Sequence, residues 1–267
     1  MLPYTHDPAA LALARGDALL AGLAHSGAPA LHWYGAQRMA LIIGSGQRLH
    51  ELDGAALQAA GVTLHRRASG GTAVLFAPGM LMQDVALPVG HPLYRSDVTA
   101  SYAWLGAVWL EALTHVGLTD LSLVSVAAAR SDGQQADPLV RRACFGGRSP
   151  YEVLAGGRKL VGFAQVRRRA GALFQVGLYA TWPGAQLVDL LALSQEERVA
   201  TVDALATRVV GLHELTPTPP PHAALMDAFA AALAQRHGVV LEATPWMPSE
   251  EVATQAALDR FAATKPG

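Results

Sequence analysis

Residues 151–179 contain the pattern that most restricts how this chain can fold. Two strand-like segments, YEVLA and RKLVGFAQV, are joined by the pair Gly156-Gly157. A glycine pair between two such segments is typical of a tight β-hairpin, because both turn positions need a positive φ. A second turn at Ala170-Gly171 leads into LFQVGLYATW. The sequence therefore predicts two consecutive hairpins, with Lys159 on the strand that leaves the first turn.

Helical and strand-like patterns are interleaved along the rest of the chain without a regular strand–helix repeat. Apolar residues at helical spacing predict a long packed helix over 97–116. Ser194 and Glu197 have the spacing of a capping box, which predicts a helix that reaches about Gly211. Further helices are predicted at 8–24, 52–60, 222–237 and after Ser249, and further strands at 31–34, 39–43, 62–67, 81–87 and 121–126.

A proline-rich segment at 217–221 could mark a domain boundary. The residues after it are too few to bury an adequate core of their own. We therefore interpret the segment as a surface connection. The prediction is a single domain over 1–267, with the helices after about residue 221 packed on it.

The composition excludes several classes of protein. Apolar residues make up 51% of the chain and charged residues 15%, a balance that is too apolar for a disordered protein. No uninterrupted apolar run approaches the roughly 18 residues that a membrane-spanning helix needs. The net charge of −1 argues against nucleic-acid binding through bulk charge. The single cysteine cannot form an intramolecular disulfide, so we expect a reducing, cytoplasmic setting, with no membrane and no nucleic-acid partner.

Several motifs that bind phosphates or metals are missing from the sequence. It contains no GxxxxGK[ST] phosphate loop, no HExxH pair and no CxxC zinc motif. The ten histidines form no pair at i, i+4. The sequence therefore gives no support for a metal site.

The first candidate for chemistry is the segment 66–73, at the end of a predicted strand. Arg66 and Arg67 precede Ser69, Gly70 and Gly71. The backbone N–H groups of such a turn can point at an anion while a guanidinium holds it. The alternative is a plain glycine turn with two solvated arginines, and composition alone favours that alternative.

The second candidate is Cys144, which has Arg141, Arg142 and Arg148 close to it in sequence. Neighbouring positive charge favours the thiolate form of a cysteine, and the thiolate is the nucleophile. The residue type alone favours the alternative, in which a lone cysteine is a small buried hydrophobic residue. Lys159, which follows the first hairpin turn, can equally be an exposed strand lysine. The residue types alone leave these alternatives open.

Three blocks of the chain resemble, in the same order, the signature blocks of the biotin/lipoate protein ligase family. The blocks lie at 32–47, 66–88 and 143–179. The third block contains Ala143-Cys144-Phe145, Ser149-Pro150-Tyr151-Glu152, Gly157-Arg158-Lys159 and Gly162-Phe163-Ala164-Gln165. These elements are similar to the cysteine–lysine octanoyl or lipoyl transferases of the family rather than to its ATP-dependent ligases. The C-terminal third resembles the family only loosely.

The resemblance implies an α+β fold with a central mixed β-sheet flanked by helices, as in biotin and lipoate ligase catalytic domains and class II synthetase cores. It implies an acyltransferase of lipoate metabolism that carries an octanoyl or lipoyl group as a thioester on Cys144. Lys159 would favour the thiolate and shuttle the proton. The substrate-binding residues that the resemblance implies are Arg66, Arg67, Ser69, Gly70, Gly71, Thr72, Gly162, Phe163, Ala164 and Gln165.

The resemblance also implies the partners of the reaction. The donor would be acyl carrier protein or a lipoylated protein, and the acceptor would be the lysine of a lipoyl domain, as in glycine cleavage H protein or a 2-oxoacid dehydrogenase subunit. A thioester donor is already activated, so no cofactor is required. Family members are often monomeric, which implies a monomer here.

Two alternatives remain open at this stage. In the first, the chain is an ATP-dependent lipoate–protein ligase that uses ATP and Mg to form a lipoyl-adenylate. Arg66, Arg67 and Lys159 would then hold the adenylate phosphate, and Cys144 would be incidental. In the second, the chain is a non-catalytic module that binds an acyl group or a carrier protein.

The sequence departs from the family pattern at several positions. Thr72 stands in place of a third glycine, Phe76 and Ala77 in place of His-Asp, Met82 in place of asparagine, Phe163 in place of serine and Val176 in place of histidine. Thr72 and Phe163 add bulk near the expected acyl and phosphate positions. The acyl length and any adenylate binding are therefore left open by the sequence.

Overall fold

The structure is a computed structural model that describes residues 1–265. Its strands are β1 (Thr5–Asp7), β2 (Ala30–Ala36), β3 (Ala40–Ile43), β4 (Thr63–Arg66), β5 (Val74–Phe76), β6 (Met80–Pro88), β7 (Leu121–Leu123), β8 (Val153–Ala155), β9 (Arg158–Arg168) and β10 (Gly171–Tyr179). Its α-helices are α1 (Ala9–Ser26), α2 (Gly54–Ala59), α3 (Ala103–His115), α4 (Val126–Gln135), α5 (Gly184–Asp189), α6 (Gln195–Ala206), α7 (His222–His237) and α8 (Pro248–Ala257).

The strands form a large and a small sheet. The large sheet has the order β1-β2-β6-β10-β9-β8-β7, and the small sheet has the order β4-β3-β5. The large sheet is mixed, because β1 is parallel to β2 whereas β6, β10 and β9 run antiparallel to their neighbours. The small sheet is also mixed, because β3 is parallel to β4 and antiparallel to β5. This confirms the expected α+β fold with a central mixed sheet flanked by helices.

Side-chain alternation along β10 divides the interior into two cores. Phe174 and Val176 belong to the core that α3 and α7 form on one face of the large sheet. Gln175 and Gly177 point to the opposite face, where Tyr179 packs in a core shared with α1 and the small sheet. The second face carries the candidate site.

The hairpin at Gly156-Gly157 is confirmed. β8 pairs antiparallel with β9, and the two glycines have φ values of 55° and 74°, which suit a two-residue turn of this kind. The second hairpin, β9 with β10, is also present. Lys159 lies on β9 immediately after the first turn, as expected.

The capping box at Ser194 is present, but the helix that follows is shorter than the sequence predicts. It ends at Ala206 instead of about Gly211. The backbone beyond it pairs with β9 instead, since the Lys159 N–H donates to the Arg208 carbonyl at 2.6 Å and the Val210 N–H donates to the Lys159 carbonyl at 3.0 Å. Strand pairing therefore competes successfully with helix extension here.

Several short elements were not predicted, namely β1, β5, α4 and α5. The strand expected over 121–126 ends at Leu123, and Val126 begins α4. The Ser125 hydroxyl accepts a hydrogen bond from the Ala128 N–H at 3.1 Å and so caps that helix. α4 has a weak apolar pattern, which explains why the sequence did not reveal it.

The last two helices pack on the body of the protein. α7 covers the expected range, ends with Gly238 in the left-handed conformation, and packs against α3. α8 packs against α1. No helix within residues 1–265 is both long enough and apolar enough to cross a membrane.

Candidate active site

An apolar cavity lies between the small sheet and the second face of the large sheet. Its walls come from α1, β2, β3, β5, β6, β9 and β10, and its apolar side chains include Ile42, Val74, Phe76, Met80 and Met82. Cys144, Glu152 and Lys159 also line it. The cavity therefore combines a hydrophobic interior with a small set of charged and nucleophilic groups.

A wider and more polar groove adjoins this cavity. Its lining includes Gly70, Gly71, Thr72, Arg141, Arg148 and Gln165. Cys144, Glu152, Phe163 and Ala164 line both the cavity and the groove. The thiol of Cys144 thus lies at the junction of an apolar chamber and a polar entrance.

Backbone pairing fixes Cys144 at this junction. Its N–H donates to the Ala73 carbonyl at 2.8 Å, and the Ala73 N–H donates to the Arg142 carbonyl at 3.1 Å. The same pairing brings the end of the 66–73 segment against the segment before Cys144. Two segments that lie far apart in sequence therefore lie side by side.

The guanidinium of Arg67 is the cation beside the thiol. Its Nη2 atom donates to Cys144 Sγ at 3.6 Å and to the Gly70 carbonyl at 2.8 Å. Its Nη1 atom donates to the Ile42 carbonyl at 3.3 Å, and the side chain is buried. These hydrogen bonds hold the positive charge of Arg67 next to the sulfur. Arg67, which we expected to bind substrate, thus contacts the Cys144 thiol.

Lys159 forms a buried ion pair with Glu152. Both residues are 2% exposed, and the Lys159 Nζ atom lies 2.7 Å from Glu152 Oε2. The ammonium also donates to the Gly147 carbonyl and lies 5.7 Å from the ring centroid of Phe145. Lys159 therefore shares the cavity with Cys144, but its direct anionic partner is Glu152.

Three donors converge on the Glu152 carboxylate. Besides Lys159, it accepts from the Ser149 N–H at 2.6 Å and from the Phe163 N–H at 3.1 Å. Burial raises the pKa of Glu152, while the Lys159 ammonium and the two backbone donors act in the opposite direction. These three donors hold the buried carboxylate in place beside Lys159.

A strained turn positions Glu152. Tyr151, the residue before it, has a φ of 67°, which is unusual for a residue other than glycine. α3 approaches this turn closely at Gly106, where a Cβ atom would lie 2.3 Å from the Tyr151 carbonyl oxygen. Gly106 therefore permits the close packing of α3 against the turn that presents Glu152.

The remaining sequence-predicted residues either line the cavity, line the groove or lie outside both. Gly162, Phe163 and Ala164 line the cavity, and Gly70, Gly71, Thr72 and Gln165 line the groove. Ser69 lies beneath the turn, where its hydroxyl donates to Gln175 Oε1 at 2.8 Å. Arg66 is directed away from Cys144, because its Nη1 atom donates to the carbonyls of Gly44, Ser45 and Gln47 at 2.9, 3.1 and 2.8 Å.

A buried acid lies beside the cavity wall. Asp84 is fully buried on β6, and Tyr34, which lines the cavity, donates its hydroxyl to Asp84 Oδ1 at 3.3 Å. Burial raises the pKa of Asp84 to about 7, although hydrogen bonds from Tyr34 and Gln175 act in the opposite direction. The Ser69, Gln175, Asp84 and Tyr34 side chains thus connect the 66–73 segment to the large sheet.

Sequence reasoning missed several residues that shape this site. Glu152 belongs to the Ser-Pro-Tyr-Glu element of the resemblance, so a signal was present, although its pairing with Lys159 was not expected. Phe145 stands next to Cys144 in a quoted element and was likewise not assigned a role. Gly106 and Asp84 carry no local signal, since their importance depends on what packs against them. Among residues 1–265, no three His, Cys, Asp or Glu side chains cluster as metal ligands.

Asp84 gives the site a pH-dependent stability. Its pKa rises from an ordinary 3.8 to about 7 on folding, so the folded protein binds a proton that the unfolded chain has released. Stability from this group therefore falls as the pH rises between those two values. We expect Asp84→Asn to raise the melting temperature relative to the unsubstituted protein more at pH 8 than at pH 5. Thermal melts at both pH values measure the effect, and an equal difference at both would contradict the assignment.

Arg67 and Arg66 form a matched pair for testing the thiol's environment. Arg67→Lys keeps the charge but cannot hold the sulfur and two carbonyls together. A hydrogen bond to a charged group is worth about 1.5–3 kcal/mol, so we expect iodoacetamide to alkylate Cys144 about 10- to 100-fold more slowly at neutral pH. Since the chain has one cysteine, the alkylation signal is unambiguous. Arg66→Lys should leave the rate unchanged, and equal slowing by both changes would rule out a special role for Arg67.

The sequence matches a known family over most of its length. The model of the lipoyl protein ligase A/B catalytic domain matches residues 8–234. The chain is 31% identical over 183 residues to octanoyltransferase LipM of Macrococcus caseolyticus, and the aligned residues cover 67% of this chain and 65% of that protein. It is 32% identical over 169 residues to octanoyltransferase LipM of Moorella thermoacetica, which covers 63% of this chain and 59% of that protein. These two matches span less than two thirds of the relatives' length.

A longer match and two solved structures extend the comparison. Octanoyltransferase LipM of Brevibacillus brevis is 29% identical over 236 residues, covering 87% of this chain and 83% of that protein. A bi-partite lipoate protein ligase of Thermoplasma acidophilum has a TM-score of 0.77 at 18% identity, with coverage of 97% and 91%. Lipoate-protein ligase A bound with ATP has a TM-score of 0.76 at 18% identity, with coverage of 97% and 93%. At such low identity, these structures show a shared fold.

Proposed function

The chain belongs to the lipoyl protein ligase A/B catalytic-domain family, and on that basis we propose that it transfers an octanoyl group from a thioester donor to the lysine of a lipoyl domain, through a thioester on Cys144. The observation that carries this proposal is the position of Cys144. The thiol lies between an apolar chamber suited to an acyl chain and a polar groove suited to the donor, with Arg67 Nη2 at 3.6 Å from the sulfur. The LipM relatives are named octanoyltransferases, which supports octanoyl transfer.

In the first half-reaction, Cys144 takes the acyl group from the donor. The thiolate attacks the donor's carbonyl carbon, a new Sγ–C bond forms, and the C–S bond to the donor's thiol breaks. The proton that Cys144 gave up goes to the departing thiolate. Arg67 stabilises the thiolate before attack, and Lys159 stabilises negative charge on the carbonyl oxygen during it.

In the second half-reaction, the acceptor lysine takes the acyl group from Cys144. Its neutral amine attacks the thioester carbonyl, a C–N bond forms, and the Sγ–C bond breaks. The amine loses one proton, and that proton returns to the Cys144 sulfur. Lys159 serves as the group that transfers this proton, and Glu152 holds its ammonium in place.

The proposed reaction needs a donor, an acceptor and a suitable cellular compartment. The donor is an acyl thioester, on acyl carrier protein or on a lipoylated protein, and the acceptor is a lipoyl domain of an H protein or a 2-oxoacid dehydrogenase. The name of the Thermoplasma structure pairs that ligase with an E2 lipoyl domain, which supports this class of acceptor. A reducing compartment keeps a lone thiol available for such chemistry, so a cytoplasmic setting suits the reaction, and the proposal takes the protein as a monomer.

The competing function is the ATP-dependent ligase. It would use the same chamber for lipoate, and Arg67 and Lys159 for the adenylate phosphate, with Mg accompanying ATP. Arg66 would not contribute, because its guanidinium is bound to three backbone carbonyls away from Cys144. The placement of Cys144 beside Arg67 and at the mouth of the cavity favours the transferase, since a ligase has no use for a thiol at this position.

A transfer assay tests the proposed function. Purified protein, a lipoyl domain and octanoyl-carrier protein are incubated without ATP, and the mass of the lipoyl domain is followed with time. We expect the domain to gain one octanoyl group, at a rate that added ATP and Mg do not change. Free octanoate without ATP serves as the control donor and should give no transfer. Transfer from free octanoate or lipoate that depends on ATP, with none from the thioester, would overturn the proposal in favour of the ligase.

A further inference from the structure

Four residues that line the apolar cavity lie side by side across four neighbouring strands. Gly162 on β9 pairs with Gly177 on β10, and Gly177 pairs with Met82 on β6. Met82 in turn pairs with Tyr34 on β2, and all four residues line the cavity. Directly opposed residues of antiparallel strands point to the same face. The cavity therefore runs along this row, over one face of the large sheet, from β9 to β2.

The glycines of the row let larger side chains approach the sheet. A Cβ atom on Gly162 would lie 3.1 Å from the Phe145 ring, so Phe145, the residue after Cys144, covers the Gly162 end of the row. A Cβ atom on Gly177 would lie 2.6 Å from Met80 Cε and 3.3 Å from Met82 Sδ. The two methionine side chains therefore lie over the middle of the row and obstruct the route from Cys144 to Tyr34.

The spacing of the strands gives the length of this row. Neighbouring strands lie about 4.8 Å apart, so the two steps from Gly162 to Met82 span about 10 Å. An extended acyl chain lengthens by about 1.25 Å per carbon, given bond lengths near 1.5 Å. The row from Gly162 to the Met82 position therefore matches the length of about eight carbons, and the two flexible methionine side chains occupy its part over Gly177. Tyr34, one strand further on, is buried and has its hydroxyl held by Asp84, so it closes the row.

We propose that Met82, with Met80 beside it, sets the length of the acyl chain that the protein accepts. This inference rests on the proposed function and specifies its substrate. Methionine side chains are flexible and fill irregular gaps, so they form an adjustable end to the chamber. Loss of the Met82 side chain opens the row as far as Tyr34, a further strand spacing of about 4.8 Å, which is room for about four more carbons.

Two substitutions move the end of the chamber in opposite directions. Met82→Ala lengthens the row and shifts the preference from octanoyl towards dodecanoyl. Because burial of each additional methylene favours binding by about fourfold, we expect the dodecanoyl-to-octanoyl ratio to rise at least about tenfold. Gly177→Ala places a methyl group against the ends of two flexible side chains, which move into the chamber and shift the preference towards hexanoyl.

The experiment measures chain-length profiles by two readouts. Calorimetry gives the affinity for free carboxylic acids of six to fourteen carbons, and intact-protein mass gives the rate of Cys144 acylation by the matching carrier-protein thioesters. The matched control is Met226→Ala, a partly buried methionine on α7 that packs in the core on the opposite face of the large sheet. Melting temperatures establish that each variant is folded.

The readouts separate this inference from the proposed function. We expect both profiles to lengthen in Met82→Ala, to shorten in Gly177→Ala and to stay unchanged in Met226→Ala. Identical profiles for Met82→Ala and the unsubstituted protein would overturn the inference, whether or not Cys144 is acylated. A shifted binding profile with no thioester on Cys144 in any folded protein would support the inference and overturn the proposed function.

Discussion

Cys144→Ala is expected to abolish octanoyl transfer, with a loss of more than about 10⁴-fold, because the carbonyl carbon then has no sulfur to bond to. Cys144→Ser should fail equally, since Arg67 can favour a thiolate but a hydroxyl remains protonated at neutral pH. The side chain is only half-buried and small, so we expect stability to change by less than about 1 kcal/mol. The lipoyl-domain transfer assay and a thermal melt measure the two effects.

The same variant discriminates between the two enzymatic functions. In a ligase, the acyl group is activated on ATP, so Cys144→Ala would keep most of its activity when ATP and lipoate are supplied. Transfer at a near-normal rate by the folded alanine variant, with ATP present, would therefore contradict the transferase.

Lys159→Ala is expected to damage both transfer and stability. Removal of the ammonium eliminates proton transfer at the cavity, which is worth about 10²–10⁴-fold. It also leaves Glu152 buried without its counter-charge, a loss of about 3–5 kcal/mol in the free energy of unfolding. The stability loss should be smaller at pH 5 than at pH 8, because burial already raises the pKa of Glu152 and an unpaired carboxyl can take up a proton. Lys159→Arg should not restore transfer, because a guanidinium does not give up its proton.

A double variant separates the two effects of Lys159. Lys159→Met with Glu152→Gln removes both charges together, so we expect denaturant unfolding to show most of the stability restored while transfer stays lost. Arg158→Ala is the matched control, since Arg158 adjoins Lys159 on β9 but its ion pair with Glu214, at 2.8 Å, is exposed. That change should cost less than about 1 kcal/mol. Recovery of transfer in the double variant would show that Lys159 has only a structural role.

Local signals explain which parts of the fold could be predicted. The Gly156-Gly157 turn, the Ser194 capping box and the end of α7 at Gly238 depend on a few adjacent residues, and all three are present. β1 and β5 have three residues each and exist because distant strands pair with them. Likewise, α6 ends early because β9, far away in sequence, binds the backbone after it. No local pattern encodes such pairing.

The same distinction between local sequence signals and tertiary contacts applies to the candidate site. Cys144, Lys159 and the 66–73 segment carry motifs, so the resemblance identified them. The partner of each group depends on tertiary contacts, and the structure pairs the thiol with Arg67 and the ammonium with Glu152. Sequence proximity instead suggested Arg141, Arg142 and Arg148 around the thiol. Asp84 could not be recognised, because its shifted pKa results from burial on a strand that reads as ordinary in sequence.

The most direct test of acyl transfer through Cys144 is the mass of the protein after incubation with octanoyl-carrier protein alone. Without ATP and without an acceptor, we predict that the intact protein gains one octanoyl group. Peptide mapping should place that group on Cys144, and hydroxylamine should release it as expected for a thioester. The contradicting result is a Cys144 that stays unmodified under these conditions, in protein that octanoylates a lipoyl domain from the same donor. Transfer would then proceed without the acyl-enzyme that we propose.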